Sequence, residues 1–394
     1  MLNILKVFHR TKESGKPRDL RFEILRIIAM FMVVFCHAIC NSALSHPKGA
    51  LISATFSSLS DIGKVGVAIF FILTGYFCCQ RQFSAKHIIK TFTHVWWYAI
   101  IMLFIFLVAS RLNLLPDIAQ TAFDKLNTWG IVLSSILPIL SYGHWFIISY
   151  LILLLVSPML NKFIQHSNRK QLGYLILALS AVHFIKYTFV PNPEPYLFFM
   201  VSIITYLIGA WIKLYGHTIK LKTYQIWLLI CGGCAFNLFI HYIANLPISH
   251  NGALAYLGLP EMTMNSGVAI AENFVGAGIF ILFTKIKPIL SNSILCRATR
   301  LISASVLGIY LISDSAIIRE ALWKKVDLLT TLSVNDAPYV RLLALAIASI
   351  VVFIICNILS IIYDHLVVNR MVKLTLNASS IKRLCTKLDN IVND

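Results

Sequence analysis

The chain has 394 residues and a formal net charge of +18, yet only 13% of its residues are charged and 58% are hydrophobic. Its mean hydropathy is +0.78. Soluble domains carry about 25% charged residues, so this composition excludes an ordinary soluble protein. It implies an all-α integral membrane protein of roughly ten spanning helices.

The first twenty residues are polar and basic, and the last stretch, 366–394, is basic too; both are expected to be cytoplasmic and surface-associated, flanking one membrane domain over 21–365. Apolar blocks long enough to span fall at 22–41, 63–79, 92–110, 144–160, 171–189, 197–215, 224–243, 267–284, 301–319 and 340–363. The first is too long and too charged for a signal-peptide core and is expected to be retained. Trp129 to Leu140 is too short to span; with Pro138 near its end and Gly143 after it, it reads as an interfacial or re-entrant piece before the fourth span. Trp96, Trp97, Trp145, Trp211 and Trp227 lie near predicted helix ends, as in an aromatic belt.

The basic residues sort by side. With the N-terminus inside, inward segments hold 24 of the 34 Lys and Arg, outward loops and outer helix ends nine, and Arg26 is intramembrane. That asymmetry sets an N-in, C-in topology. The positive charge is therefore read as orientation and contact with anionic membrane lipids, with no nucleic-acid partner. Seven of the nine cysteines sit in apolar segments and none in an outward loop, so no disulfide framework is expected; Cys231-Gly-Gly-Cys234 is read as packing.

Polar groups inside the predicted spans mark the candidate site, because a charge at membrane depth costs about 2.5–3.5 kcal/mol on insertion scales. The first span offers Arg26 and His37, with Glu23 at its inner mouth. Eleven residues are about three turns, so both side chains project from nearly the same face, roughly 16 Å apart. His37 is the natural general base toward a hydroxyl acceptor; the alternative is a buried histidine bonded to a neighbouring helix. Arg26 suits a phosphate or carboxylate, or else snorkels to the headgroups beside Glu23.

The second span opens with Lys64-Val65-Gly66-Val67 and carries Thr74-Gly75-Tyr76; the fourth opens with His144-Trp145-Phe146 and continues to Tyr150, Ser157 and Pro158. The eighth carries Glu272 and Asn273, and the ninth Tyr310, Ser313, Asp314 and Arg319. Asp314 either orients His37 or pairs with a cation; five residues from Arg319, it does not stack with it on one helix face. Glu272 either reaches an acceptor sugar or lines a solvated wall. Tyr76, His144, Trp145, Tyr150, Tyr310 and Ser313 complete the substrate-binding candidates. Lys86 and Lys90 are one turn apart if the third helix begins early, and are candidates for contacting a donor's phosphates as point charges or are ordinary inner-face lysines.

The run Arg21-Phe22-Glu23-Ile24-Leu25-Arg26-Ile27-Ile28-Ala29 ending at His37 resembles the opening helix of the bacterial membrane acyltransferase-3 family. Gly63 to Tyr76 is similar to that family's second helix, His144 to Pro158 to its Trp-Phe helix, and Leu307-Gly308-Ile309-Tyr310-Leu311-Ile312 to its late block. The resemblance covers roughly 20–365, with the four blocks in order. It implies transfer of an acyl group, commonly acetyl from cytoplasmic acetyl-CoA, to a hydroxyl of an envelope glycan, with His37 as the catalytic histidine and Arg26 in the same motif. No metal is implied. Two departures stand out: Ser313 followed by Asp314 replaces a late histidine, and an Arg-x-x-Arg after the second helix is missing.

The expected function is an O-acyltransferase of the bacterial cytoplasmic membrane, acting on a surface polysaccharide or lipid-linked glycan precursor. Alternatives are a carrier or flippase, whose buried charges look similar but whose paired halves are not seen here, and a non-catalytic relative.

Overall fold

The computed structural model describes residues 18–42, 49–112, 132–133, 135–138, 145–189, 197–218, 221–244, 269–291, 293–315, 317–331 and 337–393. The regular elements are α1 (Leu20–Cys40), α2 (Ala50–Ser60), α3 (Ile62–Cys78), α4 (Ala85–Arg111), α5 (Trp145–His166), α6 (Arg169–Phe189), α7 (Leu197–Tyr215), α8 (Thr223–Ala244) and α9 (Ala269–Lys285). They continue with α10 (Ile294–Ala304), α11 (Val306–Ser313), α12 (Arg319–Thr330), α13 (Pro338–Tyr363), α14 (Asn369–Asn377) and α15 (Ser379–Asn393). No strand occurs among the described residues.

Among the described residues, seven helical stretches are long and apolar enough to cross a membrane, and the pair α10–α11, bent by 42°, makes an eighth if taken as one span. The protein is a multi-pass, all-α membrane protein. The stretches expected at 171–189 and 267–284 correspond to α6 and α9; neither is among the seven counted over the described residues. Both are nevertheless packed into the bundle, α9 on α3 and α8, α6 on α7.

Local chemistry explains several ends. Asp19 caps α1 by accepting from the Arg21 amide at 3.1 Å. Inside α5, Pro158 has no N–H to give the Leu154 carbonyl; the Ser157 hydroxyl donates to that carbonyl instead, at 2.8 Å, and the helix continues. At the bend between α10 and α11, the backbone of Ser305 leaves the helical region. Its carbonyl accepts from the Ser360 hydroxyl at 3.0 Å, and its own hydroxyl accepts from the Asn357 amide at 3.0 Å.

Helix α3 is the centre of the bundle, against α1, α7 and α9. Its glycines permit this. A side chain at Gly66 would strike the Ala29 carbonyl of α1, and one at Gly75 the Tyr206 carbonyl of α7; a side chain at Gly209 of α7 would in turn strike the Ile72 carbonyl. In membranes, small residues at crossings let backbones approach closely enough for dispersion to hold helices together. Lipid-facing residues such as Leu155, Phe239, Leu343 and Ile354 are correspondingly exposed.

Four features differ from the sequence expectation. A helix, α2, precedes α3 and joins it at Asp61, making one stretch of 29 residues. Helix α4 starts at Ala85 rather than near residue 92, so Lys86 and Lys90 do lie a turn apart. The expected single span at 301–319 is broken twice, at Ser305 and again between Ser313 and Arg319. Finally, 366–394 is helical: α13 passes through a π-turn, Asp364–Val368, into α14, and α14 and α15 pack on α4. Their apolar positions recur at helical spacing, so the buried Val372 and Cys385 face the protein while the lysines stay outside. The described parts of the short apolar stretch, 132–133 and 135–138, include Ile136, whose carbonyl accepts from Trp96 Nε1 at 3.0 Å.

Candidate active site

Helix α1 carries two polar centres, one near each end. At the C-terminal end, His37 Nδ1 lies 3.8 Å from Asp314 Oδ1, close enough for charge attraction but longer than a hydrogen bond. The same oxygen lies 3.7 Å from Arg319 Nη1. Asp314 reaches both because α11 ends at Ser313 and α12 begins at Arg319; the turn between them brings together two residues that a continuous helix would separate. The imidazole also packs edge-on against Trp323, with ring centroids 6.2 Å apart, and beside Tyr310 at 6.5 Å. Tyr310, one turn before Asp314, turns its hydroxyl toward the same carboxylate. Asp314 is 6% exposed and His37 22%, so the carboxylate is sealed behind the ring and the ring itself is reachable. Ser313 is buried, and its hydroxyl has no hydrogen-bond partner among the described residues.

Toward the N-terminal end, Arg26 Nη1 donates to Glu23 Oε1 at 2.8 Å. The other carboxylate oxygen of Glu23 accepts from the Ser303 hydroxyl at 2.6 Å. Glu23 is 3% exposed, whereas Arg26 is 29% exposed and lies 5.9 Å from the centre of the Phe77 ring. Glu23 thus fixes the guanidinium but leaves part of its donor fork open.

That open side faces a cavity of about 550 Å³, within the usual range for small-molecule sites. Arg18, Arg26 and Arg81, with His87 beside them, give its mouth a cationic rim, tempered by Asp19 and Glu23. Further in, the wall becomes apolar through Met30, Phe70, Leu73, Phe146, Ile147 and Leu307. Tyr150 closes one side, its hydroxyl 3.4 Å from His87 Nε2. Burial pushes the Asp19 carboxyl up, but hydrogen bonds from Arg21 and from the Ile289 amide carry it below its ordinary value overall. The cavity stops short of His37: Met30, its deepest α1 residue, is seven residues away, about 10 Å of helix.

The remaining candidates scatter. Trp145 opens α5 beside Phe146, at 6.4 Å between rings; His144 lies outside the described residues. Tyr76 does not line the cavity. It packs on Phe22, Phe77 and Phe280, with the Lys213 ammonium over its ring at 4.9 Å. Lys86 and Lys90 are exposed on α4 and are not cavity-lining, whereas Arg81 and His87 beside them are.

Glu272 belongs to a different cluster. Asp61 accepts from Lys64 Nζ at 2.8 Å and from Asn237 Nδ2 at 3.0 Å, and pairs with His241 Nε2 at 2.7 Å; Glu272 Oε1 is 3.8 Å from the same ammonium. Asp61, Asn237 and His241 were not anticipated from the sequence. Asp61 precedes the apolar block and reads as loop, but Asn237 and His241, four apart in an apolar helix, carried a signal that one helix face is polar. Ser303, the partner of Glu23, had none, since a lone serine in a span is common.

The sequence model of a family described as an acyltransferase domain matches residues 19–361, which includes α1 and every element of both centres. The chain belongs to the acyltransferase-3 family. No curated protein matches it, and no solved structure does. In this acyltransferase the two ends of α1 hold different groups: an imidazole beside a buried carboxylate at one, and a guanidinium facing the cavity at the other.

Proposed function

We propose that the protein transfers an acyl group, most simply acetyl, from cytoplasmic acyl-CoA to a hydroxyl of a surface polysaccharide or its lipid-linked precursor, in the bacterial cytoplasmic membrane. The observation that carries this reading is the arrangement on α1 of His37, backed by Asp314, beyond a cavity whose rim holds Arg26. The excess of Lys and Arg on the segments flanking the cavity mouth supports an inward-facing mouth.

The chemistry follows from the groups present. Arg18, Arg26, Arg81 and His87 would meet the donor's phosphates, and the apolar inner wall its pantetheine and acyl end. Asp314 faces Nδ1 of His37 and leaves Nε2 for the acceptor. As the hydroxyl oxygen attacks the thioester carbonyl, its proton passes to Nε2; the C–S bond breaks as the ester forms, and the imidazolium gives that proton to the leaving CoA thiolate. Asp314 stabilises the imidazolium in between, the role of the carboxylate in a base–carboxylate pair. Ser313 and Asp314 stand where the resemblance leads to a late histidine, and on this reading Asp314 takes over its place beside His37.

A second reading, a proton-coupled carrier, is favoured by one observation: Asp61, Lys64, His241 and Glu272 form a buried titratable cluster that acyl transfer does not use. Mass spectrometry of acyl groups on the host's surface glycans separates the two. Acylation lost on deletion, restored by the wild-type protein and not by His37→Ala at matched membrane levels supports acyl transfer. Acylation unchanged by deletion favours the carrier.

A further inference from the structure

Helix α15 has three faces, each one residue position, or 100°, round from the last. Ile381, Cys385, Asp389 and Val392 form the first; Cys385 is buried and the other three half-buried, where the helix packs on α4. Leu384, Leu388 and Ile391 form the second, an apolar stripe left exposed by the rest of the protein. Arg383 and Lys387 lie beyond the stripe and are exposed too. The helix contains one acid, Asp389, and the Ala85 amide occupies it.

The position of α15 says what covers the stripe. The 26 residues of α13 rise about 39 Å, more than the roughly 30 Å of a hydrocarbon core, so the helices after it lie beyond that core. Exposed apolar residues continue along the chain from the lipid-facing Ile358 and Ile362 of α13 through Leu366 and Leu374 to the stripe. An apolar stripe edged by cations fits a boundary where acyl chains meet anionic headgroups. We propose that α15 is a seat for anionic lipid, with Leu384, Leu388 and Ile391 among the outermost acyl carbons and Arg383 and Lys387 on the lipid phosphates, and that this seating steadies the cavity mouth. The link to the mouth is Asn393, which accepts from the Phe83 amide at 2.9 Å and donates to the Phe83 carbonyl at 3.2 Å, together with Asp389 on Ala85. These bonds pin the segment between Arg81 and His87, both of which line the cavity. The lipid contact stands independently; its effect on donor binding rests on the acyl-transfer reading.

The test uses the full-length protein, one copy per nanodisc, in phosphatidylcholine alone or mixed with phosphatidylglycerol. Hydrogen exchange of the α15 amides should be at least about tenfold slower in the anionic discs, given two cations drawn to the surface. The variant R383Q/K387Q should lose that difference. Exchange equal in the two lipids, or a difference that survives R383Q/K387Q, overturns the proposal; so does protection that appears only with two copies per disc, which would give the stripe to a second copy of the chain. The variant L384Q/L388Q/I391Q leaves charge and the α4-facing side chains unchanged, so bulk repulsion of the anionic donor is the same as in the wild type. In anionic discs it should bind acetyl-CoA several-fold more weakly, with apparent Kd read from ligand-dependent thermal unfolding. An unchanged Kd overturns the link to the cavity mouth. A wild type that binds no acetyl-CoA overturns the acyl-transfer reading, and the exchange experiment still decides the lipid seat.

Discussion

Asp314 places one carboxylate oxygen between two nitrogens from different directions, His37 Nδ1 at 3.8 Å and Arg319 Nη1 at 3.7 Å. The arginine is 48% exposed and the carboxylate 6%, so Arg319 fixes the position of Asp314 from the outside while Asp314 faces the imidazole inside. His37→Ala should lower the acyl-transfer rate by about 10²–10⁴-fold, the range for loss of a general base. Asp314→Asn, which keeps the shape and removes the charge, should lower kcat more than it changes the KM for donor. Arg319→Gln should have a smaller effect in the same direction. Initial rates per folded molecule check all three, and an Asp314→Asn enzyme with the wild-type kcat would falsify the orienting role.

Glu23 is sealed in the bundle with only Arg26 and Ser303 as side-chain partners among the described residues. Arg26→Gln leaves that carboxylate under-compensated. Breaking a fully buried pair costs about 3–5 kcal/mol, and the exposure of Arg26 places this one below that range. The double variant Glu23→Gln/Arg26→Gln should recover part of the loss, because no lone charge is left behind. Thermal unfolding in micelles measures the stability, and the KM for donor, raised in both variants, reports the lost cation at the cavity rim.

Gly75 and Gly209 lie at the crossing of α3 and α7, where a Cβ on either would meet a backbone carbonyl of the other helix. Backbone cannot rotate away as a side chain can. Gly75→Ala and Gly209→Ala should each destabilise by at least the about 1–3 kcal/mol typical of overpacking. Gly232, with open space around it, should accept alanine without loss. The yield of monodisperse protein and its unfolding temperature distinguish the three.

Asp61 ties two helical stretches together, since Lys64 is on its own stretch, while Asn237 and His241 come from α8. Asp61→Ala leaves a lysine and a histidine without their shared acceptor and should cost several kcal/mol, on the order of 3–5. His241→Ala should cost less, because Asp61 keeps Lys64 and Asn237. If the cluster is structural, the surviving folded fraction keeps its acyl-transfer rate; a rate that falls with unchanged unfolding temperature would give the cluster a part in turnover.

The N-terminus of α4 is capped from the opposite end of the sequence: Asp389 accepts from the Ala85 amide at 2.6 Å and Asn393 from the Phe83 amide at 2.9 Å, while the local residue Ser84 makes no capping bond. Asp389→Ala should cost about 0.5–2 kcal/mol, the usual value of a lost cap. Because Arg81 and His87 flank this segment and line the cavity, a chain ending at Asn377 should bind acyl-CoA more weakly yet keep its kcat at saturating donor.

Much was legible beforehand for a physical reason: in a bilayer, apolar length and charge placement are themselves the folding constraint. The blocks that became α1, α3, α5, α7, α8 and α13 could therefore be read within a few residues. The spacing of Arg26 and His37 fixed their common helix face, because eleven residues are about three turns. Helix α2 was missed because 50–60 is rich in serine and lacks the apolar density of a span. The break between Ser313 and Arg319 was missed because no glycine or proline marks it.

What sequence alone determined was the class of protein, the helix-rich membrane domain and the two polar centres on its first helix, since these follow from periodicity and from the cost of charge in lipid. What only tertiary structure decided was partnership. Asp314 faces His37, Ser303 holds Glu23, Asp389 caps α4 and Glu272 joins Lys64 instead of the cavity, because each pairing depends on where separate helices cross. Spacing along a chain fixes which face a side chain occupies; the packing of other helices fixes what that face meets.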